Sequence, residues 1–195
     1  MPEDNSSKLA MAAPAALYIT AAITFAIFAI LTRQVEGTAL PVLREWTTAA
    51  AIGIIIAAVI EIIRNNAVLG VLILVSGTLL ALGTGWAFEV TRANIPPDLW
   101  EIGHQLTGYV WLAIAIIMFL MLSVAAKVSW GLFFSQILLG VGGLLLAWGL
   151  IQRIGFGDGV VNVAGWIILV YGIYALYTGT AFLVNRVYGR KILPV

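Results

Sequence analysis

Residues 160–184 read VVNVAGWIILVYGIYALYTGTAFLV, twenty-five positions without an Asp, Glu, Lys, Arg or His. A helix that crosses a bilayer needs about 20 predominantly apolar residues, because the hydrocarbon core is about 30 Å thick. Continuous apolarity over such a length predicts a membrane helix rather than a buried strand. Gly165, Gly172 and Gly179 recur every seven residues in this stretch, with Ala175 beside them. Small residues on one face let a second backbone approach closely, so these three glycines are expected to pack helices.

The same reading extends outward to five more apolar runs, at 9–31, 46–63, 67–88, 105–126 and 128–151. The expected fold class is all-α: an integral membrane bundle of six transmembrane helices. A mobile tail is expected at 1–8, the six-helix domain at 9–188, and a C-terminal tail at 189–195. Composition agrees. Of 195 residues, 62% are hydrophobic and 10% charged, and mean hydropathy is +1.06, against about 25% charged in a soluble domain. Strands of a membrane barrel alternate apolar and polar residues, and that pattern is absent here. The first run exceeds the h-region of a signal peptide, and the tail before it mixes Glu3, Asp4 and Lys8.

Charge sets the expected orientation. One side carries Lys8, Arg64, Lys127, Arg186, Arg190 and Lys191; the other carries Arg33, Arg44, Arg92 and Arg153. Acids lean the opposite way, with Glu36, Glu45, Glu89, Asp98, Glu101 and Asp158 on the second side. The positive-inside rule then puts both termini in the cytoplasm. Trp46, Trp86, Trp100, Trp130 and Tyr188 fall where interfacial aromatic belts are expected. The connection at 89–104 holds Pro96 and Pro97, which forbid helix continuation there.

Ionisable residues inside a membrane mark function by default, and every charge in this chain lies in a tail, a loop or a helix end. That argues against a proton-relay pump, a voltage sensor or a cofactor held by membrane histidines. No cofactor and no metal site is expected, since there is no cysteine and one histidine, His104, at a predicted membrane edge. That histidine reads first as an interfacial side chain, with a ligand or pH-sensing role as the alternative. No nucleophile–base pair can be assembled, so no catalytic residue is assigned. No basic patch is large enough to track nucleic acid.

Uncharged polar residues remain. Thr20 and Thr24 fall on the first run, Ser76, Thr78 and Thr84 on the third, Ser129, Ser135 and Gln136 on the fifth. Tyr171, Tyr174, Tyr177, Thr178 and Thr180 fall on the sixth. Hydroxyls in membrane helices mostly bond back to their own helix or to a neighbour. A side-chain amide in an apolar run must find partners or water, so Gln136 reads equally as pore lining or as interhelical glue. Pro14 opens the first run. It is either a plain first-turn proline or leaves free amides that would suit a small anion.

The order Ala164-Gly165-Trp166-Ile167, Gly172, Ala175, Tyr177, Asn185, Gly189-Arg190, Leu193-Pro194 resembles the sixth helix and short basic exit of the YaaH-type acetate/succinate transporter family. Phe133-Phe134-Ser135, Trp111 with Met118-Phe119, and Glu61 resemble its fifth, fourth and second helices more weakly. The family's Asn-Pro-Ala-Pro-Leu-Gly-Leu signature is matched here by Ala13-Pro14-Ala15-Ala16-Leu17-Tyr18-Ile19, which keeps Pro14, Ala15 and Leu17. Where the family narrows its pore with a Phe, a Tyr and a Leu, this sequence has Ala22, Gly77 and Gln136.

The resemblance implies a channel or transporter for a small monocarboxylate such as acetate, with or without protons, in a prokaryotic cytoplasmic membrane. It also implies a homo-oligomer, a hexamer, with each protomer enclosing its own path. The residues expected along that path are Pro14, Leu17, Thr20, Ala22, Ser76, Gly77, Ser135 and Gln136. The alternatives are a pore for a neutral solute such as urea or a short amide, and a non-transporting membrane subunit of a larger complex.

Overall fold

The computed structural model describes residues 11–36, 39–82 and 100–194. Among the described residues there are seven helices and no strand: α1 (Ala13–Leu31), α2 (Leu40–Ile63), α3 (Ala67–Leu82), α4 (Trp100–Leu120), α5 (Leu122–Val128), α6 (Trp130–Ile151) and α7 (Gly159–Val187). Neighbours in space run α3, α2, α1, α7, α6, α4, with lighter contacts from α3 to α4 and α5 closing the ring. The core between them holds Ile54, Trp111, Ile114, Met118, Leu139, Leu146 and Ile168, all buried. Large apolar side chains also face outward. Ile52, Ile56, Val163 and Ile173 are each at least half exposed, as suits helices whose solvent is lipid.

α1, α6, α7 and the Glu45–Ile63 part of α2 are each long and apolar enough to cross a membrane. The bent pair α4–α5 makes a fifth such segment. The run at 67–88 is helical as far as Leu82, and residues 83–99 lie outside the described residues. One expectation is corrected. The run at 105–126 is not one continuous helix: it breaks at Met121, and Gln105–Leu120 and Leu122–Val128 meet at a 51° bend. Met121 sits at φ −80°, ψ −6°, short of the ψ near −42° of a regular turn. Its own N–H still reaches Ile117, but Val124 and Ala125 both donate back to Met121. Sharp kinks are usually marked by proline, glycine or serine. Residues 118–122 are Met-Phe-Leu-Met-Leu, so only Ser123 hints at the break.

Four of the helices end alike, each stopping on a residue in the left-handed region. Arg33 (φ 55°), Asn65 (φ 59°), Arg153 (φ 60°) and Gly189 (φ 64°) follow the caps of α1, α2, α6 and α7. After α2, Asn66 N–H donates to the Glu61 carbonyl at 2.9 Å and Asn65 N–H to that of Ile62 at 3.0 Å. After α6, Ile154 and Arg153 repeat the pattern to Gly149 and Leu150. Such paired bonds satisfy carbonyls that a helix end would otherwise leave orphaned.

The glycine stripe of α7 lies against α1, which runs antiparallel to it. A Cβ on Gly165 would sit 2.8 Å from Thr32 Cγ2, and one on Gly179 would sit 3.2 Å from Leu17 Cβ. One on Gly172 would collide with the Thr24 hydroxyl. Phe28 and Trp166 meet edge to face across this seam at 4.8 Å. At its far end the Tyr18 and Thr180 hydroxyls lie 3.1 Å apart. The loop after α6 is tied to the same helix, with Gly157 N–H donating to the Leu31 carbonyl at 2.8 Å.

Candidate functional site

α1 begins without a capping side chain of its own: Ala12 is the cap position and the first turn has no acid. Its orphan donors are the N–H groups of Ala12, Ala13 and Ala15, since Pro14 has none. Glu61, from the end of α2, supplies what is missing. Its Oε1 accepts from Ala12 N–H at 2.7 Å and from Ala13 N–H at 3.0 Å. Ala15 is exposed. Glu61 itself is fully buried. Arg64 Nη1 donates to both its oxygens, at 3.1 and 3.3 Å, and Asn66 Nδ2 to Oε2 at 3.2 Å. A negative charge at a helix N-terminus is favoured by the aligned peptide dipoles. The anion at this helix start is therefore the protein's own. Of the two readings of Pro14, the one in which free amides beside it receive a small anion does not apply to Ala12 and Ala13, whose N–H groups are occupied by Glu61.

The other expected path residues fall into different surroundings. Pro14, Leu17 and Thr20 are buried on α1, and Leu17 packs with Ala21 and Ala175. Ala22 is exposed on α1, on the side of Phe25, which is 40% exposed. Gly77 is buried on α3, and the direction a side chain would take from it is filled by Ile54 of α2. Ser76 lies in α3 with its side chain outside the described residues, as does that of His104 in α4. Ser135 is buried and donates to the Leu132 carbonyl of its own helix at 2.8 Å. Ala22, Gly77 and Gln136 thus do not share one environment: the first is exposed, and the second faces a helix contact.

Gln136 differs from these. It is 3% exposed, and among the described residues its buried Oε1 has no hydrogen-bond partner. Buried polar atoms are nearly always paired, so the exception needs a reason. On α6, Gly140 abuts the Phe119 ring and Gly143 abuts Trp111 and Ala115, all of α4. Gln136 is one turn before Gly140 on that face. Because α4 runs antiparallel to α6, this register carries Gln136 to the level of the break at Met121. Leu122 and Ser123 there open the first turn of α5, where a helix leaves N–H groups without an intrahelical partner. Membrane proteins keep non-helical backbone only where protein buries it or a polar cavity meets it.

Among the described residues three further side-chain oxygens are buried without partners: Thr78 Oγ1 on α3, and Asn162 Oδ1 and Thr178 Oγ1 on α7. Asn162 escaped the sequence reading, although the reasoning applied to Gln136, an amide in an apolar run, would have found it. Among the described residues no three His, Asp or Glu side chains gather as metal ligands.

Past α7 the chain folds back on itself. Asn185 Oδ1 accepts from Ile192 N–H at 2.7 Å and Leu193 N–H at 2.8 Å, and its Nδ2 donates to the Leu193 carbonyl at 2.8 Å. Tyr177 donates to the Pro194 carbonyl at 2.9 Å. Tyr177, Asn185, Gly189, Leu193 and Pro194, separate marks in the sequence, are one clamp in space.

These features define a class: an all-helical integral membrane protein whose helices close into a ring around a core containing unpartnered polar oxygens. No family model matches the sequence, and no curated protein matches it. Among solved structures, the chain is similar to that of the bacterial acetate channel SatP. The TM-score is 0.81 at 21% identity, over 96% of this chain and 99% of that one. The likeness is one of fold, and it runs nearly end to end in both chains.

Proposed function

We propose that the protein is a channel or transporter for small monocarboxylates such as acetate, of the acetate/succinate transporter family. The observation that carries this reading is the fold shared along almost the whole chain with an acetate channel. In this reading six helices cross a prokaryotic cytoplasmic membrane, both termini are cytoplasmic, and protomers assemble as a hexamer with one path each. In this reading the path passes Gln136 and Ser135 of α6, Thr20 and Ala22 of α1, and Ser76 and Gly77 of α3. Pro14 and Leu17 shape its α1 wall.

An acetate ion is costly to move through hydrocarbon unless donors replace its water or a proton neutralises it. Gln136 suits either case, because a half-turn of its amide exchanges an acceptor for a donor. The absence of fixed charge on its helix favours weak, transient binding, as conduction requires. Labelled acetate should enter proteoliposomes carrying the protein well above empty vesicles. Gln136→Leu should slow it by roughly tenfold, the worth of one buried hydrogen bond. No uptake above empty vesicles, with or without a pH gradient, rejects the proposal. The uncharged amide also favours a second reading, a pore for a neutral solute such as urea; vesicle swelling in urea, indifferent to pH, would identify it.

A further inference from the structure

A groove of about 480 Å³ lies between the α5–α6 junction and the end of α7. Its walls include Ser129, Phe182, Asn185, Arg186, Arg190 and Lys191, and no acid. Neither arginine nor the lysine has an ion pair among the described residues, where the pairs are Arg33–Asp158 and Arg64–Glu61. The fold holds these three cations around one space. Arg186 stands on the last turn of α7. Gly189, at φ 64°, turns the chain back. Asn185 then grips the backbone of residues 192 and 193, which fixes the segment bearing Arg190 and Lys191. The Ser129 hydroxyl accepts from Leu132 N–H at 3.0 Å, which leaves its own proton free to donate into the groove. Phe182 supplies an apolar wall.

The depth of the groove is marked by its aromatic neighbours. Trp130, next to Ser129, is 63% exposed, and Tyr188, between the basic residues, is 64% exposed. Trp130 also meets Phe133 edge to face at 5.4 Å. Exposed Trp and Tyr at helix ends sit at headgroup level. Basic pockets at that level attract anionic headgroups, and the guanidinium fork matches the oxygens of a phosphate.

We propose that this groove is a binding site for a phosphate group, and that the phosphate is carried by an anionic phospholipid. Ser129, Arg186, Arg190 and Lys191 hold the phosphodiester, and the Phe182 wall lies along the glycerol and upper acyl chain. A zwitterionic headgroup brings its own cation against three others and is disfavoured. Free inorganic phosphate offers the same oxygens without the apolar part. The site does not depend on the solute that the protein carries.

Native mass spectrometry of the full chain in detergent, titrated with phosphatidylglycerol, phosphatidylcholine or inorganic phosphate, tests this. Phosphatidylglycerol should bind about tenfold more tightly than phosphatidylcholine, and inorganic phosphate should compete only weakly. Arg186→Gln with Arg190→Gln should weaken phosphatidylglycerol binding about 25-fold, at roughly fivefold per cation removed. Asn185→Ala should weaken it with no change of charge. Arg33→Gln, which follows α1 and pairs with Asp158 of the loop joining α6 to α7, should leave it unchanged. Size-exclusion chromatography and circular dichroism select the folded variants. Equal binding of the two lipids, or unchanged binding in the folded double variant, overturns the site. Inorganic phosphate binding as tightly as phosphatidylglycerol overturns the lipid as its source.

Discussion

Replacing Glu61 should destabilise the bundle far more than its position at a helix end suggests. The carboxylate is fully buried and has four donors: two backbone amides of α1, Arg64 and Asn66. Glu61→Ala removes the only side-chain cap of α1, worth about 1 kcal/mol. It leaves the buried Ala13 N–H unsatisfied, at about 1–3 kcal/mol. It also strands Arg64, whose side chain is only 16% exposed. The total, about 3–5 kcal/mol, is what breaking a buried pair by deleting one partner usually costs. For a chain of this size it corresponds to roughly 6–20 °C in Tm. Glu61→Gln keeps the volume and one acceptor oxygen for the amides, but turns its own NH₂ toward Asn66 and Arg64. Its expected loss is about 1–2 kcal/mol. Thermal unfolding in detergent measures both, and hydrogen exchange at residues 12 and 13 localises the effect. A Glu61→Ala Tm within about 2 °C of wild type would refute the reasoning, as would a Gln variant worse than Ala.

Three further outcomes are expected. Gly172→Ala drives a Cβ into the Thr24 hydroxyl, which is already bonded to the Ala21 carbonyl; overpacking of this kind costs about 1–3 kcal/mol, read as a lowered Tm. Asn185→Ala should speed hydrogen exchange at Ile192 and Leu193 by roughly tenfold or more as the clamp opens locally, with little change in Tm. Arg33→Gln should change stability by no more than about 1 kcal/mol, because its pair with Asp158 is long at 3.6 Å and 62% exposed on both sides.

Most of the helices were legible because membrane spanning is a matter of length and apolarity, both visible in single stretches. The α7 glycines were legible for a related reason: their spacing defines a face before any partner is known. Glu61 was harder. Its position at the end of α2 was plain, and chain ends normally meet water. What buries it is the start of α1, a partner 48 and 49 residues away, and no local pattern encodes that meeting. The same meeting fills the amides beside Pro14. Gly77 illustrates the converse limit: a glycine reads equally as room for a solute or as room for a neighbour, and the Ile54 side chain decides it. The break at Met121 carries no proline or glycine; of its own residues only Ser123 hints at it, and α5 beyond it packs on α6 and α3.

Depth gives the polar oxygen of Gln136 its meaning. Trp130 begins α6 and is mostly exposed, so it marks the headgroup level. At 1.5 Å per residue, Gln136 lies about 9 Å farther in along the axis. The break at Met121 is a similar distance from Lys127, the charged residue that closes α5. Both features therefore stand near one end of the bundle rather than at its centre. On the proposed function, a solute there would keep hydration on the side of the headgroups while exchanging the rest for Gln136. That arrangement would remove part of the desolvation cost before the apolar middle is reached, without a fixed charge that would hold an anion in place. Moving the amide to the middle by pairing Gln136→Leu with Leu139→Gln, Leu139 being buried on the next turn, should then not restore acetate uptake. Full recovery in that folded double variant would show that depth is irrelevant and that any buried amide on α6 suffices.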